Sequence, residues 1–299
     1  HSDWELWDGE DISRYIRNLP SERAIRIVDT YFPGHRESFL GITSPGPWLS
    51  PEEHFDATRS TIFNHEWGLA GRQEELSALV AAAYQPAATL AFLIGAGGVG
   101  KTRLLKALAE AAPTQHAQVR ILPGDAQIAG ADFELLPHQG ELTLVIDDAH
   151  ELSGITSVVT GIWRRNRDAK IVLATRPYGL RALKEGLARA GLLPEDPTEV
   201  ELRDLTFEDA ATLAREALGG DAPEAVAGRL ARLTADSPLA TVVGGVLMRR
   251  GQLDAAALEQ DDKVRDQIMR GFRDALVGDP LADDPPTRNA VLDAVAALQ

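Results

Sequence analysis

The sequence predicts an α/β fold: a parallel sheet flanked by helices, followed by a small all-helical subdomain and preceded by a mostly helical N-terminal segment. Three observations predict it. Between residues 89 and 202, short apolar runs alternate with amphipathic helical patterns, as strands do in a parallel sheet covered on both faces. A glycine-rich segment at 95–102 joins the first of these runs to a helical pattern. Beyond Leu205 the strand pattern stops and only helical spacing remains.

In chain order, residues 1–68 form a segment of their own, with Trp4, Trp7, Trp48 and Trp67 and short helical patterns at Ile12, Tyr15 and Ile16 and at Ile25, Ile27 and Val28. Ser44-Pro45-Gly46-Pro47 is a break. Ser50-Pro51-Glu52-Glu53 reads as a helix start, with Ser50 as the N-cap, Pro51 at the first helical position and Glu53 closing the box. The α/β domain is expected over 69–204. It opens on a helix over 72–83, with Leu76, Leu79, Val80 and Ala83 at helical spacing, and turns at Pro86. Strands are expected at 89–94, 119–122, 142–146, 171–174 and 200–202. Helices follow the glycine-rich segment (Leu104, Leu105 and Leu108 inward) and span 179–190. The helical subdomain, 205–260, reads as one helix through Phe207, Ala210, Ala211, Ala214 and Leu218, a second through Val226, Leu230 and Leu233, and a nearly apolar third over 239–248. A further helical region, 261–299, is interrupted at Asp279-Pro280 and Asp284-Pro285-Pro286, and there is no internal repeat.

The chain of 299 residues is 44% hydrophobic and 25% charged, enough for two or three cored domains. It has no apolar run of membrane-spanning length and no signal-peptide core, and it lacks cysteine; a cytoplasmic protein is the expectation. The net charge of −15 weighs against duplex DNA as a partner, because phosphate neutralisation dominates such affinity. Heavy use of Ala, Arg, Asp and Gly suggests a GC-rich bacterial source. His1-Ser2 reads as a tag remnant and the C-terminal pattern stops short, so a piece of a longer protein is expected.

Gly95-Ala96-Gly97-Gly98-Val99-Gly100-Lys101-Thr102 fits G-x-x-x-x-G-K-[ST] in full, with a strand before it and a helix after. The glycines let successive backbone N–H groups turn inward onto phosphate oxygens, and the following helix adds its positive end. Lys101 is expected on the β- and γ-phosphates and the Thr102 hydroxyl on Mg²⁺, with Arg103 completing the nucleotide-binding set. The fold class is therefore that of the P-loop NTPases. Such a loop requires an acidic residue at the end of an apolar strand, and Leu142-Thr143-Leu144-Val145-Ile146-Asp147-Asp148 supplies one. Asp147 is expected at Mg²⁺ and Asp148 as the general base for the attacking water. Lys170 to Thr175 leads to Arg176, whose guanidinium suits the γ-phosphate. An N-K-x-D guanine motif is absent, Leu152-Ser153-Gly154 follows the Asp-Asp strand where a transporter-type signature would precede it, and the seven histidines show no zinc spacing.

The order of these motifs resembles the STAND class of ATPases, relatives of the AAA+ proteins that include NACHT and NB-ARC domains. Four elements carry the resemblance over residues 69–250: Leu69-Ala70-Gly71-Arg72-Gln73-Glu74-Glu75-Leu76, Val145 to His150, Ala174-Thr175-Arg176, and Leu233-Thr234-Ala235-Asp236-Ser237-Pro238-Leu239-Ala240. The resemblance implies that Leu69, Gly71 and Arg72 lie by the adenine, that Arg176 is the sensor arginine and that Pro238 packs near the nucleotide. Asp236 stands where the family often has Gly. It also implies a winged-helix domain after the helical one. Trp4 to Ile12 is faintly similar to segments that follow restriction-endonuclease-like domains in bacterial STAND proteins, but no Asp…Glu-x-Lys core is present, so no nuclease is expected. A helical linker docking on the ATPase is the reading of 1–68, with Arg14, Arg17, Arg23 and Arg26 on a solvated face.

By this resemblance the chain is a slow ATPase acting as an ATP/ADP switch with Mg²⁺, responding to an unidentified ligand and forming homo-oligomers in the ATP state. The competing expectations are a DNA-directed AAA+ ATPase of origin-recognition or transposition type, in whose relatives the Gly71-Arg72 motif also occurs, and a nucleotide-binding scaffold without hydrolysis, against which the presence of both Asp147 and Asp148 argues.

Overall fold

The computed structural model describes Tyr15, Ile16, Leu19, Ala24 and Ile27 and residues 46–56, 67–85, 89–113, 118–234 and 237–253. The expectations for Trp4, Trp7, Ile12, Ile25, Val28, for Arg14, Arg17, Arg23 and Arg26, for Ala235 and Asp236, and for the region from 254 onward lie outside these residues.

Five strands make one sheet in the order β2-β3-β4-β1-β5: β1 Leu90–Gly95, β2 Gln118–Leu122, β3 Leu142–Ile146, β4 Lys170–Thr175 and β5 Thr198–Leu202. Every pairing is parallel. The register sets Ile94 opposite Thr175, Gly95 opposite Leu202 and Ile146 opposite Leu173, so the strands' carboxyl ends share one edge. Ligands of open α/β sheets bind at that edge.

Alternation of side chains divides the core in two. Phe92, Ile94, Leu144, Ile146, Ile171 and Leu173 enter one apolar layer, packed against helix residues Val158, Val159, Ile162, Leu183 and Leu187. Ala91, Leu93, Val145, Val172 and Ala174 enter the other, packed against Leu79, Ala83, Leu104, Leu105 and Leu108. The helices concerned are α2 (Gln73–Tyr84) and α3 (Lys101–Glu110) on one face, and α4 (Ile155–Arg165) and α5 (Pro177–Arg189) on the other. Strands β1 and β3 are buried along their whole length, which explains their unbroken apolar runs. Strand β5, at the sheet edge, buries only Val200 and Leu202 and exposes Glu199 and Glu201.

The opposite edge is covered by the N-terminal segment. Leu49 forms an antiparallel bridge with Ile121 of β2, with N–H to O distances of 2.9 and 2.8 Å. The buried Trp48 donates from Nε1 to the Asp132 carbonyl at 2.7 Å. A short helix, α1 (Pro51–Asp56), then lies against β2 and α3. Its expected capping box is present: the Ser50 N–H donates to Glu53 Oε2 at 2.7 Å and the Glu53 N–H to Ser50 Oγ at 3.2 Å.

Helices α6 (Phe207–Ala217), α7 (Glu224–Leu233) and α8 (Pro238–Arg249) follow the sheet. On α6 the buried stripe is Ala210, Leu213, Ala214 and Ala217, whereas Phe207, expected on it, is 42% exposed. A helical side chain covers the turn before its own Cα, and a residue in the first helical position has no such turn; the Phe207 ring instead lies 5.0 Å from the Arg232 guanidinium. α8 is buried continuously from Ala240 to Leu247, which accounts for its nearly apolar sequence. Among the described residues no helix is long and apolar enough to cross a membrane.

Candidate functional site

The site is built where β1 stops. Gly98 and Gly100 hold φ values of 74° and 100°, in the left-handed region that side chains disfavour, and Gly100 caps α3. A chain turning this way aims its N–H groups into a concavity at a helix N-terminus, an arrangement that favours anions. Lys101 is buried, and its Nζ donates to the Gly95 and Ala96 carbonyls at 2.9 and 3.0 Å, so the ammonium lies across the mouth of the loop. Burial lowers its pKa; Asp148 and Asp147 act in the opposite sense, and Arg176 adds to the lowering.

The acidic turn stands beside it. Thr102 Oγ1 donates to Asp147 Oδ2 at 3.0 Å, and the Asp148 N–H donates to Asp147 Oδ1 at 3.0 Å. Asp147 is buried, and desolvation together with repulsion by Asp148 pushes its carboxyl up to about 6, while Lys101 and the bond from Thr102 act in the opposite sense. Asp148 has φ 47°, the one non-glycine residue in the left-handed region among those described. Asp tolerates that region better than most residues, and such outliers recur at functional sites. Gly124 is required alongside, since a Cβ there would meet the Asp148 carbonyl oxygen at 2.5 Å. The Ala149 N–H donates to the Ala174 carbonyl at 2.8 Å, tying the acidic turn to β4 and to Arg176, which is buried just past the strand's end. The structure therefore brings Lys101, Thr102, Asp147, Asp148 and Arg176 to one place.

These residues fit Mg²⁺ with a nucleotide. A hydroxyl and a carboxylate 3.0 Å apart are hard oxygen ligands, and the carboxylate is short of positive charge. Among the described residues no cluster of three or more His, Asp or Glu side chains is placed to hold a metal ion; an Mg²⁺ held by one or two protein oxygens and phosphates needs none.

Leu69, Gly71, Arg72, Arg103 and Pro238 form a clasp that joins the linker, the end of β5 and the helical subdomain beside the loop. Leu69 is half-buried against the apolar layer of α2 and α3. Gly71 has φ 62°, and a Cβ there would meet the Asp209 carboxylate at 2.2 Å. Arg72, buried, pairs with Glu75 at 3.1 Å and donates to the Arg203 carbonyl past the end of β5. The Arg103 guanidinium turns to the linker, donating from Nε to the Trp67 carbonyl at 2.5 Å. Pro238 opens α8, and the next residue, Leu239, donates its N–H to the Gly98 carbonyl of the loop at 3.2 Å.

Two histidines passed over for lacking zinc spacing lie in this site. The side chain of His150, 4% exposed, has both ring nitrogens without a hydrogen-bond partner, and its Nε2 is 3.9 Å from Glu151 Oε1. Burial lowers its pKa, opposed by Asp148 and reinforced by Arg176 and Lys101. Gly179 is needed for it, because a Cβ there would meet the His150 Cβ at 2.4 Å. Its place two residues after Asp148 was the available signal. His54 of α1 sets Nε2 4.0 Å from Asp147 Oδ2, and no local pattern pointed to that contact.

The strand, glycine-rich loop and helix, with an acidic turn at the end of β3, one strand removed from β1 across β4, define the P-loop NTPase fold, which this chain adopts. The chain is similar to the solved Saccharomyces cerevisiae Hsp104–ADP complex, with a TM-score of 0.50 and 18% identity over 84% of this chain and 40% of that one. It is also similar to the S. cerevisiae Hsp104:casein complex in its extended conformation, with a TM-score of 0.50 and 16% identity over 69% of this chain and 41% of that one. The Walker-type ATPase of Pyrococcus abyssi aligns with a TM-score of 0.48 and 15% identity over 77% of this chain and 90% of that one. The chain spans about two-fifths of the Hsp104 chains it matches. No protein-family model and no curated protein matches it.

Proposed function

We propose that this chain is an ATP- and ADP-binding switch ATPase of STAND type, in which the γ-phosphate sets how the helical subdomain sits on the sheet. The observation that carries this reading is the contact of α8 with the phosphate loop: Leu239 donates to the Gly98 carbonyl, and a Cβ on Gly98 would approach Leu239 to 3.0 Å. A helix resting on the loop that cradles phosphate feels any change in that loop.

Lys101 and the N–H groups of residues 97–102 bind the phosphates, and Arg176 engages the γ-phosphate. Thr102 and Asp147 would hold Mg²⁺, which when bound neutralises phosphate charge. Asp148 orients a water and takes its proton as the oxygen attacks the γ-phosphorus; the bond to the β-phosphate oxygen breaks, leaving ADP and phosphate. Hydrolysis is slow and resets the switch, and oligomerisation follows from the ATP state. A ligand shifts such an equilibrium only by its differential affinity for the two states. A charged hydrogen bond from Arg176 to the γ-phosphate is worth roughly 1.5–3 kcal/mol, about tenfold or more in population.

The test is small-angle scattering of the protein with ADP and with a non-hydrolysable ATP analogue. The two profiles are expected to differ, and Arg176→Ala is expected to make the ATP-analogue profile resemble that with ADP. Identical profiles for the unaltered protein would refute the switch. Hydrolysis stimulated by duplex DNA would favour the DNA-directed reading instead, against the net charge of −15.

A further inference from the structure

The mechanism above uses no residue N-terminal to the phosphate loop's own domain, yet the structure sets one against its metal-binding carboxylate. We propose that His54 is a positioning residue for Asp147, so that the segment 48–55 is a working part of the nucleotide–metal site. The inference rests on the P-loop reading of that site and extends it.

Four observations converge. The segment is anchored to the sheet at both ends: Trp48 is buried and bonded to the Asp132 carbonyl, Leu49 pairs with Ile121, and Phe55 is buried with Leu93 and Leu104 beneath α3. Between these anchors the capping box of Ser50 and Glu53 fixes the pitch of α1, so the direction of His54 is set by its frame. The His54 ring stands edge-on to Phe55, with centroids 4.9 Å apart. Its Nε2 then lies 4.0 Å from Asp147 Oδ2, the same oxygen that accepts from Thr102.

The chemistry favours a functional contact. Asp147 takes one backbone N–H and one hydroxyl, so each carboxylate oxygen has one donor and spare lone pairs. A carboxylate that serves a metal works best when outer partners fix its rotation, and removing such a partner commonly costs about tenfold or more in metal affinity. His54 Nε2 faces Oδ2 from outside the loop at 4.0 Å, one small shift of the ring from hydrogen-bond distance. Through it, the placement of the N-terminal segment bears on how Asp147 is presented.

Calorimetry of ADP binding by the full 299-residue chain, once with Mg²⁺ and once with EDTA, separates metal-dependent from metal-independent affinity. His54→Phe keeps the ring against Phe55 and removes the ring nitrogens; His54→Gln returns a polar N–H at that place. His54→Phe is expected to weaken Mg²⁺–ADP binding about tenfold and to leave ADP binding in EDTA unchanged, with His54→Gln restoring most of the difference. If the phenylalanine ring disrupts folding, His54→Ala is read in the same way. Equal losses in both media would make His54 a packing residue only, and no loss, or a loss that glutamine fails to restore, would likewise overturn the proposal. Absence of ADP uptake by the unaltered protein in either medium would overturn the P-loop reading itself, and is seen before any variant is measured.

Discussion

The phosphate end of the sheet and the clasp at 67–72 lie side by side and treat charge in opposite ways. In the clasp the charged groups have protein partners, although Trp67 Nε1 and one terminal nitrogen of Arg103 are buried without a hydrogen-bond partner. The Gly68 N–H donates to both oxygens of Glu216 at 2.9 Å, Arg72 binds Glu75 and the Arg203 carbonyl, and Arg103 binds the Trp67 carbonyl while the Arg249 guanidinium sits 5.8 Å from the Trp67 ring. At the phosphate end the balance is left incomplete: burial lowers the Lys101 ammonium, and burial with a like charge raises the Asp147 carboxyl. A region whose charges are held by partners within the protein is a joint. One whose buried charges are held against their ordinary tendency is poised for a ligand, and stability is commonly given up at such places.

The largest expected effect tests the phosphate end directly. Lys101→Ala removes the ammonium from the loop mouth and is expected to weaken ADP and ATP by about a hundredfold in calorimetry, the loss of one or two charged hydrogen bonds. Because burial already disfavours that ammonium, thermal unfolding should show the variant as well folded as the parent. A variant that binds normally would break the comparison.

A smaller effect sharpens it. Asp147 has a folded-state pKa of about 6 against an ordinary 3.8, so the folded chain binds more protons than the unfolded chain between those values. Its ionisation therefore costs stability as pH rises through that window, in full above about pH 6. Asp147→Asn is expected to stabilise the nucleotide-free protein by on the order of 2 kcal/mol at pH 7–8, with the gain fading toward pH 4. Urea unfolding across pH checks it; a gain that does not depend on pH would mean that charge is not the cause.

The smallest effect belongs to the clasp. Glu216→Ala frees the Gly68 N–H at an exposed position and is expected to cost about 1 kcal/mol in urea unfolding while leaving ADP affinity nearly unchanged. If this substitution impaired ADP binding as strongly as Lys101→Ala, the clasp would be part of the ligand site and not a joint.

The sequence alone determined what local order can carry. The unbroken runs of β1 and β3 are buried on both faces, the capping box at Ser50 forms as its spacing requires, and the glycines at 98 and 100 take left-handed conformations that few residue types accept. Lys101 and Thr102 follow in register because a helix must begin there. Tertiary structure decided what depends on partners distant in the chain. Leu49 pairs with the sheet because the exposed edge of β2 needed a backbone partner, and Trp48 beside it bonds the Asp132 carbonyl. Phe207 leaves its stripe for lack of a preceding turn to cover, and Arg103 turns away to the linker. His54 meets Asp147 across more than ninety residues, where no periodicity in the chain reports the contact. Local patterns encode backbone conformation and burial, whereas which charge faces which is fixed only when separate elements are packed together.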